Sequence, residues 1–213
     1  MGRVTVSRIS CSQLEAADNP FQSSFWAAVK QHSEWEPVAV RIRVVGPEPG
    51  LGAVQVHEST LLILLRRIAL SLVVAYIPFG PRLAGVPMPV AAYLRELSKA
   101  LQPLLPRLTI CLRYDLPWRE DDSEHFELFS GHGLHVCKES VQPEGTAWIM
   151  LGDGYGTVKS AYRERAVRNI RKTQALGVSV REWGGNEEEF KAWYAVYQET
   201  AKRDGFAARP AEY

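Results

Sequence analysis

The apolar stretch from Leu61 to Phe79 constrains the fold most, because it is long enough to raise the question of a membrane span. Two adjacent arginines, Arg66 and Arg67, lie inside this stretch, and charged side chains are costly within a bilayer. We therefore predict two buried β-strands, Leu61–Leu65 and Leu70–Ile77, that meet at the arginine pair. The Pro-rich residues that follow predict a rigid loop at a strand end.

The other elements are predicted from hydrophobic periodicity and turn residues. Further strands are predicted at Val4–Ile9, Val38–Val45, Ala53–His57, Arg107–Arg113, Leu134–Cys137 and Val178–Arg181, with an exposed acidic loop at Trp118–Glu124. Helices are predicted after Ser23 or Ser24, from Pro89 to Pro103, over Val158–Leu176 before Gly177, and from the cap Asn186 to about Gly205. The last helix is expected to bury a stripe of Phe190, Trp193, Tyr194, Tyr197 and Ala201.

Composition limits the classes of function. The 213 residues are 46% hydrophobic and 23% charged, which is typical of a globular chain with a core. The formal net charge of +1 gives no global attraction to nucleic acid or anionic lipid, so a polyanion site has to be a local patch. Three widely spaced cysteines and no signal peptide favour a reducing cytoplasm.

One local patch of positive charge is present. The predicted helix over Val158–Leu176 carries six basic residues and a single acidic one; the basic residues are Lys159, Arg163, Arg165, Arg168, Arg171 and Lys172. Such a density of charge can bind a diphosphate or an RNA backbone. Spacing alone favours the other interpretation, a solvated helix face.

Two other motifs are weaker. The segment His132-Gly-Leu-His135-Val-Cys137 contains metal donors, but its spacings match no closed zinc site, so no metal is predicted. The glycines of Gly152–Gly156 lack the strand, helix and acidic residue of a dinucleotide-binding fingerprint and indicate a flexible turn.

Four segments occur in an order that resembles the FemABX family of peptidoglycan interpeptide-bridge aminoacyltransferases. They are Asn19–Lys30, Tyr76-Ile-Pro-Phe-Gly-Pro81, Val141-Gln-Pro-Glu-Gly-Thr146 and Arg168-Asn-Ile-Arg-Lys172, and the similarity continues to Tyr213. The last segment is the most specific of the four. The chain departs from the family pattern at Phe79, where the loop often carries arginine, and at Gly152–Gly156, where an acidic helix start is usual.

The resemblance implies a fold and a division into domains. The expected class is α/β (α+β), with a GNAT-like acyltransferase domain over residues 1–143 and an incomplete, second GNAT-like domain over residues 144–213. Family members are substantially longer, so this chain resembles a truncated member.

The resemblance also implies a reaction. The family transfers an amino acid from aminoacyl-tRNA to the side-chain amine of the third stem-peptide residue, on a lipid-linked or UDP-linked muropeptide. The expected co-substrate is aminoacyl-tRNA, with no other cofactor. The expected location is the cytoplasm, with peripheral contact to the inner membrane.

Three positions carry the substrate-binding residues that the resemblance implies, and a fourth is a candidate base. Lys30 corresponds to the lysine near the muropeptide diphosphate, and Arg168 or Arg171 to a second phosphate contact. The acceptor amine, with an ordinary pKa of about 10.4, has to lose a proton before it attacks. Asp115 follows a predicted strand and is the candidate base, although it is also placed as an ordinary turn residue, and the tRNA's own hydroxyls could replace it.

Two other functions stay open from the sequence. An acetyl-CoA-dependent N-acyltransferase would need a glycine-rich helix start around the cofactor's diphosphate, and no such segment is convincing. A noncatalytic or split-gene fragment would bind muropeptide or tRNA and would need a separate chain to complete the second domain.

Overall fold

The structure is a computed structural model and describes residues 2–15, 19–47, 54–68, 71–116, 129, 131–139, 141–143, 149–152 and 154–212. It divides the chain into two compact units, Met1–Gln142 with Glu212–Tyr213, and Pro143–Ala211. We call these the first and the second unit. The assignment of two GNAT-like domains, at residues 1–143 and 144–213, stays a prediction.

The first unit is built on one five-stranded sheet. Its strands, in spatial order, are β1 (Arg3–Ile9), β2 (Trp35–Pro47), β3 (Val54–Arg67), β4 (Val73–Ile77) and β5 (Thr109–Tyr114). The first three pairings are antiparallel and β4 pairs with β5 in parallel. Together with its helices, this mixed sheet confirms the predicted α+β class and is consistent with an acyltransferase-like fold.

Helices cover both faces of the sheet. Helix α2 (Val90–Leu101) connects β4 to β5 and packs on one face, where Tyr93, Leu97 and Leu101 are fully buried among alternate residues of the strands. Helix α1 (Ser24–Gln31) packs on the other face through Ala27, and the side chain of Ser23 caps it by accepting a hydrogen bond from the Trp26 N–H. The period of two along each strand therefore divides its side chains between an α1 face and an α2 face.

The structure joins two predicted strands into one. The segments Ala53–His57 and Leu61–Leu65 are predicted as separate strands, but β3 runs without interruption from Val54 to Arg67. It pairs with β2 from Val54 to Arg66, and Arg43 forms an ion pair with Glu58 at 3.4 Å across the two strands. In the first part of β3, Val54, Val56 and Glu58 are exposed on one face of the sheet, and the strand becomes fully buried only from Leu61 to Leu65.

The apolar stretch is divided between β3 and β4, as predicted. Arg66 and Arg67 are exposed at the end of β3, and β4 begins at Val73; Leu70 lies outside the described residues. Among the residues that the structure describes, no helix is long and apolar enough to cross a membrane.

The second unit contains three helices in its described part, where two were predicted. They are α3 (Gly154–Ser160), α4 (Glu164–Ala175) and α5 (Glu187–Asp204). The predicted helix Val158–Leu176 is wrong as one element, because Arg163 has extended backbone angles and serves as the N-cap of α4. Residues Gly152–Gly156, predicted to be a turn, include the start of α3. Gly177 ends α4 in a left-handed conformation, as predicted, and the Val178 N–H donates to the Thr173 carbonyl.

Two predicted strands do not form. Leu134–Cys137 and Val178–Arg181, both fully described, have no strand structure, and Val180 is 97% exposed. Each segment has the apolar and β-branched residues of a strand, but neither forms a ladder with another described strand. A short extended segment without a partner leaves its N–H and C=O groups to water. The predicted loop Trp118–Glu124 lies outside the described residues.

Helix α5 begins and ends where the sequence predicts, but its stripe is only partly buried. Asn186 caps it by accepting hydrogen bonds from the Glu188 and Glu189 N–H groups, and Gly205 ends it with φ +75°. Of the stripe, Ala201 is buried, whereas Trp193 is 59% exposed. The aromatic rings instead pack on one another along the helix, for instance those of Trp193 and Tyr197 at 5.6 Å.

Candidate functional site in the first unit and the basic helix

The loop that follows β4 is fixed by two polar side chains from the segment before α1. The Asn19 side chain donates to the Phe79 carbonyl at 2.5 Å, and the buried Gln22 side chain donates to the Pro78 carbonyl at 2.7 Å. Phe79 has a φ of +45°, which is unusual for a residue other than glycine, and its ring stacks on Phe21 at 5.0 Å. The aromatic side chain at this departure from the family pattern therefore packs against the segment before α1.

Asp115 lies where β4 and β5 end side by side. Its N–H donates to the Ile77 carbonyl at 3.0 Å, and its carbonyl accepts from the Gly80 N–H at 2.9 Å. These two bonds extend the parallel pairing beyond β5 and fix the backbone of Asp115 against the loop after β4. The prediction that Asp115 follows a strand end is confirmed by the end of β5 at Tyr114.

The Asp115 side chain belongs to a hydrogen-bonded group of three residues. The Tyr76 hydroxyl donates to Asp115 Oδ2 at 2.7 Å, and Gln142 Nε2 donates to the Tyr76 hydroxyl oxygen at 3.0 Å. We call Tyr76, Asp115 and Gln142 the hydroxyl–carboxylate group. Within the described residues, no donor bonds to Oδ1 of Asp115, so this oxygen can accept a proton from a bound amine.

Tyr76 is held on the α1 face of the sheet. The residue is 5% exposed and packs with Leu62, Leu64 and the Trp35 ring, whose centroid is 5.9 Å away. Burial raises the pKa of Tyr76 well above its usual range, and the neighbouring Asp115 carboxylate acts in the same direction. The phenol therefore stays protonated and able to donate throughout the neutral range.

Lys30 lies near the C-terminal end of α1. Its ammonium nitrogen is 4.7 Å from the centroid of the Trp26 ring, a cation–π contact. Trp26 packs edge-on against Phe21 at 5.0 Å, and Phe21 in turn stacks on Phe79. A row of aromatic rings thus connects Lys30 to the loop whose backbone holds Asp115. Both residues belong to the first unit.

Arg168 and Arg171 lie on α4 in the second unit, and both are exposed. At about 100° per residue they share an arc of about 120° with Arg165 and Lys172. No described carboxylate forms an ion pair with any of these four side chains. This arc, which we call the basic arc, is a local concentration of charge on a chain whose net charge is only +1.

The described residues contain no group of three or more potential metal ligands. His132, His135 and Cys137 lie in a segment without regular structure, and both His135 and Cys137 are exposed. The geometry therefore offers a hydrogen-bonded carboxylate in one unit and a set of guanidinium groups in the other. The first suits proton transfer, and the second suits phosphate binding.

Comparison with known protein families identifies the segment that carries the basic arc. The FemAB family model matches residues 129–213, which include α3, α4 and α5. Over this segment, the chain is similar to the FemAB family. The FemAB match associates the chain with peptidoglycan-related aminoacyl transfer in general, and so with tRNA and peptidoglycan precursors as partners. No curated protein matches the chain.

The FemAB segment contains some of the predicted site residues and not others. Arg168 and Arg171 lie inside residues 129–213, whereas Lys30 and Asp115 precede them. The sequence reasoning missed Tyr76 and Gln142 as site residues. Both residues lie inside segments that resemble the family. Tyr76 also lies on the opposite face of β4 from its buried neighbours Ala75 and Ile77. The alternation of side chains along a strand could therefore have separated Tyr76 from the α2 core in the sequence.

Proposed function

We propose that this chain transfers an amino acid from aminoacyl-tRNA to the stem-peptide side-chain amine of a lipid-linked or UDP-linked muropeptide. The observation that carries the proposal is the family match over the segment that bears the exposed arginines of the basic arc. Aminoacyl-tRNA supplies the activated ester, so the reaction needs no other cofactor.

The chemistry is an aminolysis of an ester. The neutral amine nitrogen attacks the carbonyl carbon, a C–N bond forms, and the C–O bond to the tRNA ribose breaks. Asp115 Oδ1 accepts the proton that the attacking nitrogen loses and returns it to the ribose oxygen as the C–O bond breaks. Since a positioned base typically contributes about 10²- to 10⁴-fold to a rate, this role is large enough to measure.

Arg168 and Arg171 bind phosphate in this proposal, and Lys30 contributes a further cation. Forked guanidinium groups donate paired hydrogen bonds to phosphate oxygens, and an ammonium acts as a point charge. The cation–π contact with Trp26 holds the Lys30 ammonium at the end of the aromatic row, where it adds its charge to the first unit's site.

The place of the reaction follows from its substrates. Aminoacyl-tRNA is found in the cytoplasm, and a lipid-linked acceptor lies at the inner membrane surface, so we propose a cytoplasmic protein with peripheral membrane contact. A local basic arc suits this role better than a high net charge, which would bind polyanions without selection.

A transfer assay with the full chain tests the proposal. Radiolabelled amino acid is followed from aminoacyl-tRNA to a UDP-linked muropeptide, with Asp115→Asn as the variant and the exposed Asp204→Asn as the control. We expect Asp115→Asn to lower kcat by about 10²-fold or more, and Asp204→Asn to leave it unchanged. Acetyl-CoA binding without any muropeptide binding would instead favour the N-acyltransferase.

A second candidate is a binding subunit that acts with a separate chain. It is favoured by the exposed aromatic side chains on and before α5, where Trp183 is 61% and Trp193 is 59% exposed. Large exposed apolar groups often mark interaction sites. This candidate predicts an isolated chain that binds muropeptide, self-associates and transfers nothing, whereas an active monomer excludes it.

A further inference from the structure

Tyr76 of the hydroxyl–carboxylate group has no role in the aminolysis described above. Tyr76 contributes a hydroxyl group to Asp115, although its ring is already buried among apolar neighbours. A phenylalanine would pack there equally well and would need no hydrogen-bond partner. Packing therefore does not explain why this position carries a hydroxyl group, whereas a hydrogen bond to the candidate base does.

We propose that Tyr76 is a positioning residue that fixes the Asp115 carboxylate, and that Gln142 directs the Tyr76 proton towards it. This inference rests on the proposed function, because it gives Tyr76 a task only if Asp115 accepts a proton. In this proposal, Tyr76 holds Oδ2 of the Asp115 carboxylate so that Oδ1 faces the amine.

The direction of the hydrogen bonds follows from the donors present. The Tyr76 hydroxyl has a single proton, and the Gln142 amide donates to its oxygen at 3.0 Å. The Tyr76 hydroxyl can then donate this proton in a hydrogen bond to Asp115 Oδ2. The two oxygens are 2.7 Å apart, which is within the usual range for O–H···O⁻ bonds. Gln142 thus occupies a lone pair and leaves the carboxylate as the acceptor.

Three supports make the carboxylate rigid. Its backbone is held on both sides by Ile77 and Gly80, its Oδ2 atom is held by Tyr76, and the Tyr76 ring is held between Trp35 and the sheet. A base held in this way needs no rotamer change to meet its substrate. Misplacement of a reacting group by about 1 Å can cost about 10²-fold in rate.

The matched control is Tyr114, which lies on the other face of the sheet. Its hydroxyl is also largely buried, but it is bonded to the Ser98 hydroxyl at 2.9 Å and packs with the α2 core. Burial raises the pKa of Tyr114, as it does that of Tyr76. Tyr114→Phe therefore removes a comparable hydroxyl group without touching Asp115.

The kinetic test compares Tyr76→Phe with Tyr114→Phe in the transfer assay. We expect Tyr76→Phe to lower kcat by about 10- to 100-fold with KM changed less than about twofold, because the ring and the binding surface are retained. We expect Tyr114→Phe to leave kcat unchanged. Gln142→Glu, which offers Tyr76 a competing carboxylate, should also lower kcat. A Tyr76→Phe enzyme with the kcat of the wild type overturns the inference.

A second measurement is independent of activity. In proton NMR, the wild type and Tyr114→Phe should show a slowly exchanging, downfield hydroxyl resonance that Tyr76→Phe abolishes and Asp115→Asn moves upfield. A resonance that Asp115→Asn leaves unmoved overturns the hydrogen bond. If the NMR result holds but the wild type transfers nothing to any muropeptide, the proposed function fails, and the catalytic role of Tyr76 falls with it.

Discussion

Single polar side chains complete the sheet where its backbone cannot. Continuing the β3–β4 register past Leu64 and Tyr76 brings Leu62 opposite Pro78, which has no N–H to donate. The buried Gln22 amide fills this gap, since it accepts from the Leu62 N–H at 2.8 Å and donates to the Pro78 carbonyl at 2.7 Å. One side chain from the segment before α1 thus sets where the loop after β4 begins.

We predict that Gln22→Leu destabilises the protein by roughly 2–4 kcal/mol, because it leaves a buried donor and a buried acceptor without partners. Urea unfolding measures the free energy change. The control is the exposed helical residue Gln198→Leu, expected to stay within about 0.5 kcal/mol of the wild type. A Gln22→Leu protein as stable as this control would contradict the role of the amide.

At the scale of an element, α4 is defined by its charge and its ends. Arg163 begins it as an N-cap without a side-chain hydrogen bond, Glu164 places a carboxylate in its positively polarised first turn, and Gly177 follows its end. None of its residues is buried. What distinguishes α4 from other surface helices is therefore the basic arc, which its own carboxylate does not neutralise.

We predict that the double variant Arg168→Gln and Arg171→Gln weakens binding of a UDP-linked muropeptide by about tenfold or more. The reason is the loss of charged hydrogen bonds to phosphate, each worth about 1.5–3 kcal/mol. Calorimetry measures the affinity, and its salt dependence should weaken in the variant. Lys191→Gln with Lys202→Gln on α5 removes the same charge from another exposed helix and should change neither value.

At the scale of the whole molecule, the two units differ in how much core they contain. The residues buried around α2 and the sheet form a continuous apolar core, whereas Val158 and Ala201 are the buried residues in the described part of the second unit. Helices of about 12 residues are marginal by themselves, so their stability depends on packing. Stability should therefore be concentrated in the first unit.

Hydrogen exchange can test this difference on two helices of equal length. Both α2 and α4 have 12 residues, but α2 buries five side chains and α4 buries none. We predict that amides in α2 exchange at least about 100-fold more slowly than those in α4. Equal protection would show that α4 is covered in solution.

Local chemistry made several elements predictable from the sequence. Helix ends are set by caps and by left-handed residues, which depend on neighbouring residues alone. Two helices begin at the caps Ser23 and Asn186, and two end at Gly177 and Gly205. Arg66 and Arg67 likewise indicated that the apolar stretch forms two strands and not a membrane-spanning helix. Asp115 could be placed at a strand end by the same local reasoning, and the order of the four family-like segments was enough to indicate a resemblance to the FemAB family, which the match over residues 129–213 supports.

Other features depended on partners that are distant in sequence. Whether Val178–Arg181 forms a strand is decided by a neighbouring ladder, and β3 is continuous because β2 runs beside it. The hydroxyl–carboxylate group unites residues 76, 115 and 142, which only the pairing of β4 with β5 brings together. The sequence by itself determined the helix ends and the charge of α4, because these are local. Only the tertiary structure decided which side chains meet at Asp115, because hydrogen bonds across a sheet depend on its register.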